Sequence, residues 1–205
     1  MPVIVVANPK GGVGKSTLSS NLAGYLASRG HAVMLGDVDR QQSALTWLSI
    51  RPKTLPAIGT WDTAHGEIVR PPKGTTHVVL DTPAGLHGKR LDEVMKIADK
   101  VIIPLQPSIF DIHATHAFVR ELLAHRRSDK VKFAIVGMRV REGTISSDHL
   151  RAFVEGLRVP VLTFLRDTQN YVHLAAHGLT LWDVGSSRFE RDLEQWKPIV
   201  EWVEA

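Results

Sequence analysis

A β-branched run over residues 3–7, VIVVA, leads through a glycine-rich loop into a helical pattern with Leu18, Leu22, Tyr25 and Leu26 on one face. A short apolar strand, a tight loop and a helix in immediate succession make one β–α unit. A buried strand of this kind belongs in a parallel sheet covered on both faces. The rest of the chain repeats the alternation. Runs at residues 32–35, 77–80, 101–105, 132–140 and 161–165 read as strands, with a further short strand near 55–59. Helices are expected over 16–28, 43–50, 91–98, 112–125 and 147–156, and over 188–205, where Pro198 should kink or break the helix. Residues 51–76 hold four prolines and read as irregular. Without an internal repeat or a linker, this predicts one domain over residues 1–205. Its fold class is α/β: a three-layer α/β/α arrangement with a mostly parallel twisted sheet and helices on both faces.

Ligands in such sheets bind beyond the carboxyl ends of the strands. Three strand ends converge there, carrying the glycine loop, then Asp37 and Asp39, then Asp81. Glycines let backbone N–H groups wrap around phosphate oxygens, and the following helix N-terminus favours an anion. Gly14-Lys15-Ser16 ends a P-loop pattern, with Lys15 expected at the β- and γ-phosphates and the Ser16 hydroxyl on Mg2+. The first glycine of that pattern is replaced by Pro9, and a second lysine, Lys10, follows it. Asp81 ends an apolar strand and suits the acid that holds metal-bound water; alone, it would serve equally as a turn or cap residue. Asp37 and Asp39 lie two apart, so strand alternation points them the same way. Asp39 is the candidate for orienting or activating an attacking water, and Asp37 for a supporting role at the metal.

Composition narrows the classes. The chain has 205 residues, 43% hydrophobic and 22% charged, as in ordinary globular domains. It has no cysteine, which removes disulfides, thiolate metal sites and iron–sulfur clusters. No apolar run approaches the ~20 residues that span a bilayer, and the start, MPVIVVANPK, has no basic leader. A cytoplasmic location is the expectation. The net charge of +4 permits a polyanionic partner without requiring one. His113 and His116, three apart on a helix, lack a third ligand at diagnostic spacing and read as surface or interface residues.

Residues 9–17, Pro9-Lys10-Gly11-Gly12-Val13-Gly14-Lys15-Ser16-Thr17, resemble the deviant Walker-A motif K-G-G-x-G-K-[ST]-[ST], whose signature is the early lysine. Asp37-Val38-Asp39-Arg40-Gln41-Gln42-Ser43 resembles a D-x-D-P-Q-x-S switch segment, with Arg40 where proline is usual. Asp81-Thr82-Pro83-Ala84 resembles a D-T-P-[PA] switch, and residues 101–108, VIIPLQPS, resemble the V-I-I-P-x-x-P-S stretch that follows it. Asp111 continues the likeness. On these residues the chain is similar to the ParA partition and positioning ATPases of the MinD/ParA superfamily, in a short form without an N-terminal helix-turn-helix domain. Other branches fit less well. Nitrogenase iron proteins and the arsenite and tail-anchor ATPases rely on cysteines, and two tyrosines do not make a tyrosine-kinase cluster. Residues 188–205 carry three cations against five acids, unlike the basic membrane helix of MinD-type proteins.

The resemblance implies ATP and Mg2+ as ligands and two protomers facing each other across two ATP molecules. Lys10 would reach the phosphates held by the partner, making Lys10, Lys15 and Asp39 the catalytic set. Lys10, Gly11, Gly12, Val13, Gly14, Lys15, Ser16 and Thr17 would bind ATP, with Ser16, Asp37 and Asp81 at the metal. Met138-Arg139 and Leu165-Arg166 would border the base or the dimer seam. The resemblance also implies weak ATP hydrolysis, stimulated by a ParB-like adaptor protein attached to cargo. The ATP-bound dimer would bind DNA non-specifically and space its cargo over the nucleoid, with no membrane involved. That cargo is a plasmid, a chromosome region or a large protein assembly. Non-specific DNA binding needs a basic face; Arg126, Arg127, Lys130, Arg188 and Arg191 are candidates. Two alternatives stay open. One is a nucleotide-controlled switch acting on proteins alone. The other is a P-loop metabolic enzyme, for which the sequence offers no acceptor-binding constellation.

Overall fold

Alternation in strand β1 (Val3–Val6) sets up two cores, because Val3 and Val5 face one side of the sheet and Ile4 and Val6 the other. The computed structural model describes residues 1–61, 71–185 and 187–205. Within them β2 (Val33–Asp37), β3 (Ile58–Trp61), β4 (His77–Asp81), β5 (Lys100–Leu105), β6 (Lys132–Val140) and β7 (Val161–Arg166) join β1. The sheet is parallel throughout, in the order β3-β2-β4-β1-β5-β6-β7. The chain builds outward to β3, returns to β4, then crosses β1 to lay down β5, β6 and β7. That reversal opens a crevice beyond the carboxyl end of β1.

Helices cover both faces. On the Ile4 side, α1 (Lys15–Ser28) contributes Leu18, Leu22 and Leu26, and α2 (Ser43–Ser49) contributes Trp47. Further along, α6 (Asn170–Ala175) adds Leu174, and α7 (Glu190–Glu204) adds Trp196 and Ile199. On the Val5 side, α3 (Gly88–Ile97), α4 (Ile109–Ala124) and α5 (Ile145–Glu155) bury Leu91, Phe118 and Leu150. The three-layer reading of the sequence holds.

Helix α7 crosses the outer strands and is pinned at both ends. Arg166 Nε meets Asp192 Oδ1 at 2.6 Å, and Lys100 Nζ donates to the carbonyls of Trp202 and Val203 at 2.9 and 2.6 Å. A lysine on the last carbonyls satisfies acceptors that a helix C-terminus leaves open. The expected break at Pro198 does not occur, since the helix runs through it. Proline removes one hydrogen bond, while Trp196, Ile199 and Val203, all buried, anchor the helix on either side of it.

Other boundaries shift. Strand β2 reaches Asp37, so that carboxylate sits on the strand itself, and β3 lies at 58–61 instead of 55–59. Helix α4 starts at Ile109, which puts Asp111 in its first turn, where an acid suits the helix dipole. Helix α6, six residues long, is too short for periodicity to reveal. Part of the irregular stretch read over 51–76 lies outside the described residues. No helix among the described residues is long and apolar enough to cross a membrane.

Candidate functional site

The loop after β1 is held from beneath by Asn8. Its side-chain amide donates to Pro104 O at 2.8 Å and to Thr115 Oγ1 at 2.9 Å, and its Oδ1 accepts the Lys10 N–H at 2.9 Å. From above, Gly85 N donates to Pro9 O at 2.8 Å, and Gln106 Nε2 donates to Gly12 O at 2.8 Å. Segments following β1, β4 and β5 are thus tied into one frame. Gly12 and Gly14 adopt φ of 75° and 97°, a left-handed region where a side chain is strained. A Cβ on Gly14 would also stand 2.7 Å from the Met138 methyl. The Met138 methyl ends a flexible side chain and can swing aside, so it is the left-handed backbone that calls for glycine at position 14.

Lys15 is buried, and its ammonium donates to the Lys10 carbonyl at 2.8 Å. Burial lowers its pKa, while Asp81 and then Asp39 pull it back up. Asp81 ends β4 beside Asp37 on β2, in direct register. Burial pushes the Asp81 carboxyl up to about 7; the Ser16 hydroxyl donates to it and opposes the rise, and the negative Asp37 adds to it. A hydroxyl beside a buried carboxylate forms an oxygen donor set that fits Mg2+, which keeps most of its shell as water and phosphate. No cluster of three or more histidine, cysteine or acidic residues gathers around a metal-sized point among the described residues.

The two acids after β2 separate. Asp37 is buried and accepts the Asp39 N–H on Oδ1 and the Ala44 N–H on Oδ2, each at 2.9 Å. Burial, above all, raises its pKa. Asp39 instead lines an open cleft of about 640 Å³, together with Gly11, Gly12, Lys15, Ser16 and Thr17. Asp37 thus turns its carboxylate onto the backbone of the switch segment, whereas Asp39, two residues on, lines the cleft.

The cleft gathers most of the loop residues read from sequence, but not all. Val13 is buried in the loop's underside, and Met138 packs against Gly14, while Arg139 lines the cleft. Arg139 does so with φ of 51°, unusual for a residue with a side chain. Leu165 is buried in the core that α7 covers, and Arg166 is engaged by Asp192; neither lines the cleft. Lys10 Nζ lies 3.9 Å from Asp111 and is 40% exposed.

The five basic candidates fall into two groups. Arg126, Arg127 and Lys130 follow α4 at the amino edge of the sheet, where the Arg127 guanidinium donates to Met95 O. Arg188 and Arg191 flank the start of α7 near the carboxyl end of β7; Arg188 Nε donates to Asn170 Oδ1, and Arg191 stands 3.7 Å from Glu142. Missed by sequence reasoning were Asn8, whose partners are distant in the chain, and Arg90, which lines the same cleft as Arg40.

A family model described as the CobQ/CobB/MinD/ParA nucleotide binding domain matches residues 4–181. The maintenance of carboxysome distribution protein A of Halothiobacillus neapolitanus is 28% identical over 190 residues, covering 89% of this chain and 88% of the relative. Among solved structures, the MinD cell division protein of Aquifex aeolicus superposes with a TM-score of 0.77 at 19% identity, covering 100% of this chain and 98% of the other. An ATP complex of a Cyanothece McdA variant superposes with a TM-score of 0.74 at 16% identity, covering 100% and 95%. The loop, the two switch segments and the parallel sheet thus carry the same assignment as the sequence match, and the chain belongs to the CobQ/CobB/MinD/ParA family of nucleotide-binding domains.

Proposed function

We propose that this chain is an ATP-driven positioning ATPase of the partition type. It dimerises on ATP, binds DNA without sequence preference, and moves or spaces a cargo over the nucleoid in the cytoplasm. A cargo-bound adaptor protein stimulates hydrolysis and releases the dimer. The carrying observation is the position of Lys10. Its carbonyl holds Lys15 inside the loop, while its own ammonium stands half-exposed, with one long contact to Asp111. A second lysine not committed to its own loop is free to reach phosphates bound by a facing copy.

In this reading Lys15 neutralises the β- and γ-phosphates from below, and the loop amides over residues 11–17 cradle them. Ser16 and Asp81 hold Mg2+, which would neutralise phosphate charge, and Asp37 supports them by fixing the switch loop. Asp39 orients the attacking water. Arg188 and Arg191 lie at the same edge of the sheet as the cleft and are the favoured DNA-facing pair, with Arg126, Arg127 and Lys130 as a second group.

The test is light scattering of wild-type and Lys10→Ala protein with ATP under conditions of slow hydrolysis. The wild type should dimerise with ATP alone, and Lys10→Ala should bind nucleotide yet stay monomeric. Equal dimerisation of both proteins would contradict the proposal.

A further inference from the structure

Two arginines face the cleft from the two switch segments. Arg40 follows Asp39 after β2, Arg90 lies in the first turn of α3 after β4, and both are exposed. Neither has a hydrogen bond or an ion pair among the described residues. Arginines elsewhere in the fold do find acids: Arg51 with Asp183 at 2.8 Å, Arg141 with Asp167 at 2.6 Å and Arg166 with Asp192 at 2.6 Å. Along the cleft wall, four cations (Lys15, Arg40, Arg90 and Arg139) stand against Asp39 as the one acid. Like charges gathered on one wall repel each other unless an anion lies between them.

The loop that carries Arg40 does not depend on that residue's own N–H. It is fixed by the amides of Asp39 and Ala44 on Asp37, by Gln41 N on Asp39 Oδ1 at 3.1 Å, and by the left-handed turn at Gln42. A proline, usual at this place in the resembling switch segment, would leave those bonds intact. The backbone therefore makes no demand for arginine, and the residue is explained by its side chain. Arg40 is next to Asp39, the residue proposed to sit on the side of the attacking water. Both residues line the cleft, and the attacking water approaches the third phosphate, not the second.

We propose that Arg40 and Arg90 grip the terminal phosphate of bound ATP from within the same protomer, so that a single subunit distinguishes ATP from ADP before it dimerises. The inference rests on the nucleotide-binding reading of the cleft. A guanidinium presents paired donors that match phosphate oxygens, and charge-assisted contacts of this kind are the strong ones. Since the arginines come from different segments, a phosphate between them also draws the two segments together. Only a ligand with differential affinity can shift such an equilibrium, and the terminal phosphate supplies it.

The experiment measures dissociation constants for Mg2+ with ADP and with a non-hydrolysable ATP analogue. It uses the full chain carrying Lys10→Ala, which keeps a facing lysine out of the measurement. Arg40→Ala, Arg90→Ala, Arg40→Lys and Lys15→Ala are each added to it. Arg40→Ala and Arg90→Ala should each reduce the preference for the triphosphate by about tenfold and leave ADP affinity nearly unchanged, with Arg40→Lys falling between, whereas Lys15→Ala should weaken both nucleotides. An unchanged preference in both alanine variants, or an equal loss for both nucleotides, would overturn the arginine assignment. Failure of the wild-type chain to bind either nucleotide, or indifference to Lys15→Ala, would instead overturn the nucleotide reading itself. Circular dichroism of each variant separates loss of folding from loss of contact.

Discussion

The side-chain amide of Asn8 donates to Thr115 Oγ1 at 2.9 Å, across 107 residues of chain, with both side chains fully buried. Through Asn8 Oδ1 and the Lys10 N–H, the same residue sets where the second lysine of the loop begins. Asn8→Ala would leave that N–H, the Pro104 carbonyl and the Thr115 hydroxyl short of partners. A loss of about 1–3 kcal/mol is expected in urea unfolding, since each buried polar group left unpaired carries its full desolvation cost. An unchanged midpoint would mean that water or a rearranged Thr115 takes over.

Lys10 and Asp111 should be easy to part. Their contact is 3.9 Å long, with the side chains 40% and 14% exposed, and such pairs contribute about 0–1 kcal/mol. Asp111→Ala should therefore change unfolding free energy by no more than about 1 kcal/mol. The same change should shift the concentration for ATP-dependent dimerisation by at most about fivefold. Light scattering across a protein dilution series checks this; a loss of dimerisation as complete as that of Lys10→Ala would give Asp111 a direct part in the interface.

Asp37 and Asp39 should divide stability from turnover. Asp37→Ala strips the Ala44 and Asp39 amides of their acceptor, so thermal and urea unfolding should reveal a loss of about 1–2 kcal/mol. Asp39→Ala should fold nearly as well as wild type and bind ATP, while phosphate release falls about 10²-fold. Normal turnover in Asp39→Ala would remove it from the water-orienting role.

Asp81 gives the stability a pH signature. Its carboxyl titrates near 3.8 in the unfolded chain and at about 7 in the folded one, chiefly because of burial. Between those values the folded chain holds a proton that the unfolded chain has released. The group's contribution is fully present below the unfolded value and is lost as pH rises through the folded one. Asp81→Asn, which imitates the protonated acid, should be more stable than wild type above neutral pH when Mg2+ and nucleotide are removed, with the gap closing towards pH of about 4. Adding both ligands should reverse the order, since a divalent cation needs the ionised carboxylate. Urea titrations across this range, with and without ligands, measure both effects.

Much of this was legible because it is local. Residues 9–17 follow one another, the strands announce themselves by β-branched runs, and Asp81 ends such a run. What escaped depends on contacts between distant segments. Asn8 matters through Pro104 and Thr115, and Met138 through the space above Gly14. Arg166 is engaged by Asp192, a buried acid on a helix that the sequence announces without showing that it packs against β7. Arg40 was visible as a departure from a pattern, but its companion Arg90 emerges only where two loops meet at one cleft.

The proposed cycle turns on an ATP-gated grip on DNA. Binding of the full chain to a random-sequence duplex should be measured without nucleotide, with ADP, and with ATP under slow-hydrolysis conditions, at low and high salt. Binding is expected with ATP alone, weakened steeply by salt as phosphate contacts release counterions. Absence of DNA binding in every state, with ATP hydrolysis intact, would contradict it and leave a nucleotide switch that acts on proteins.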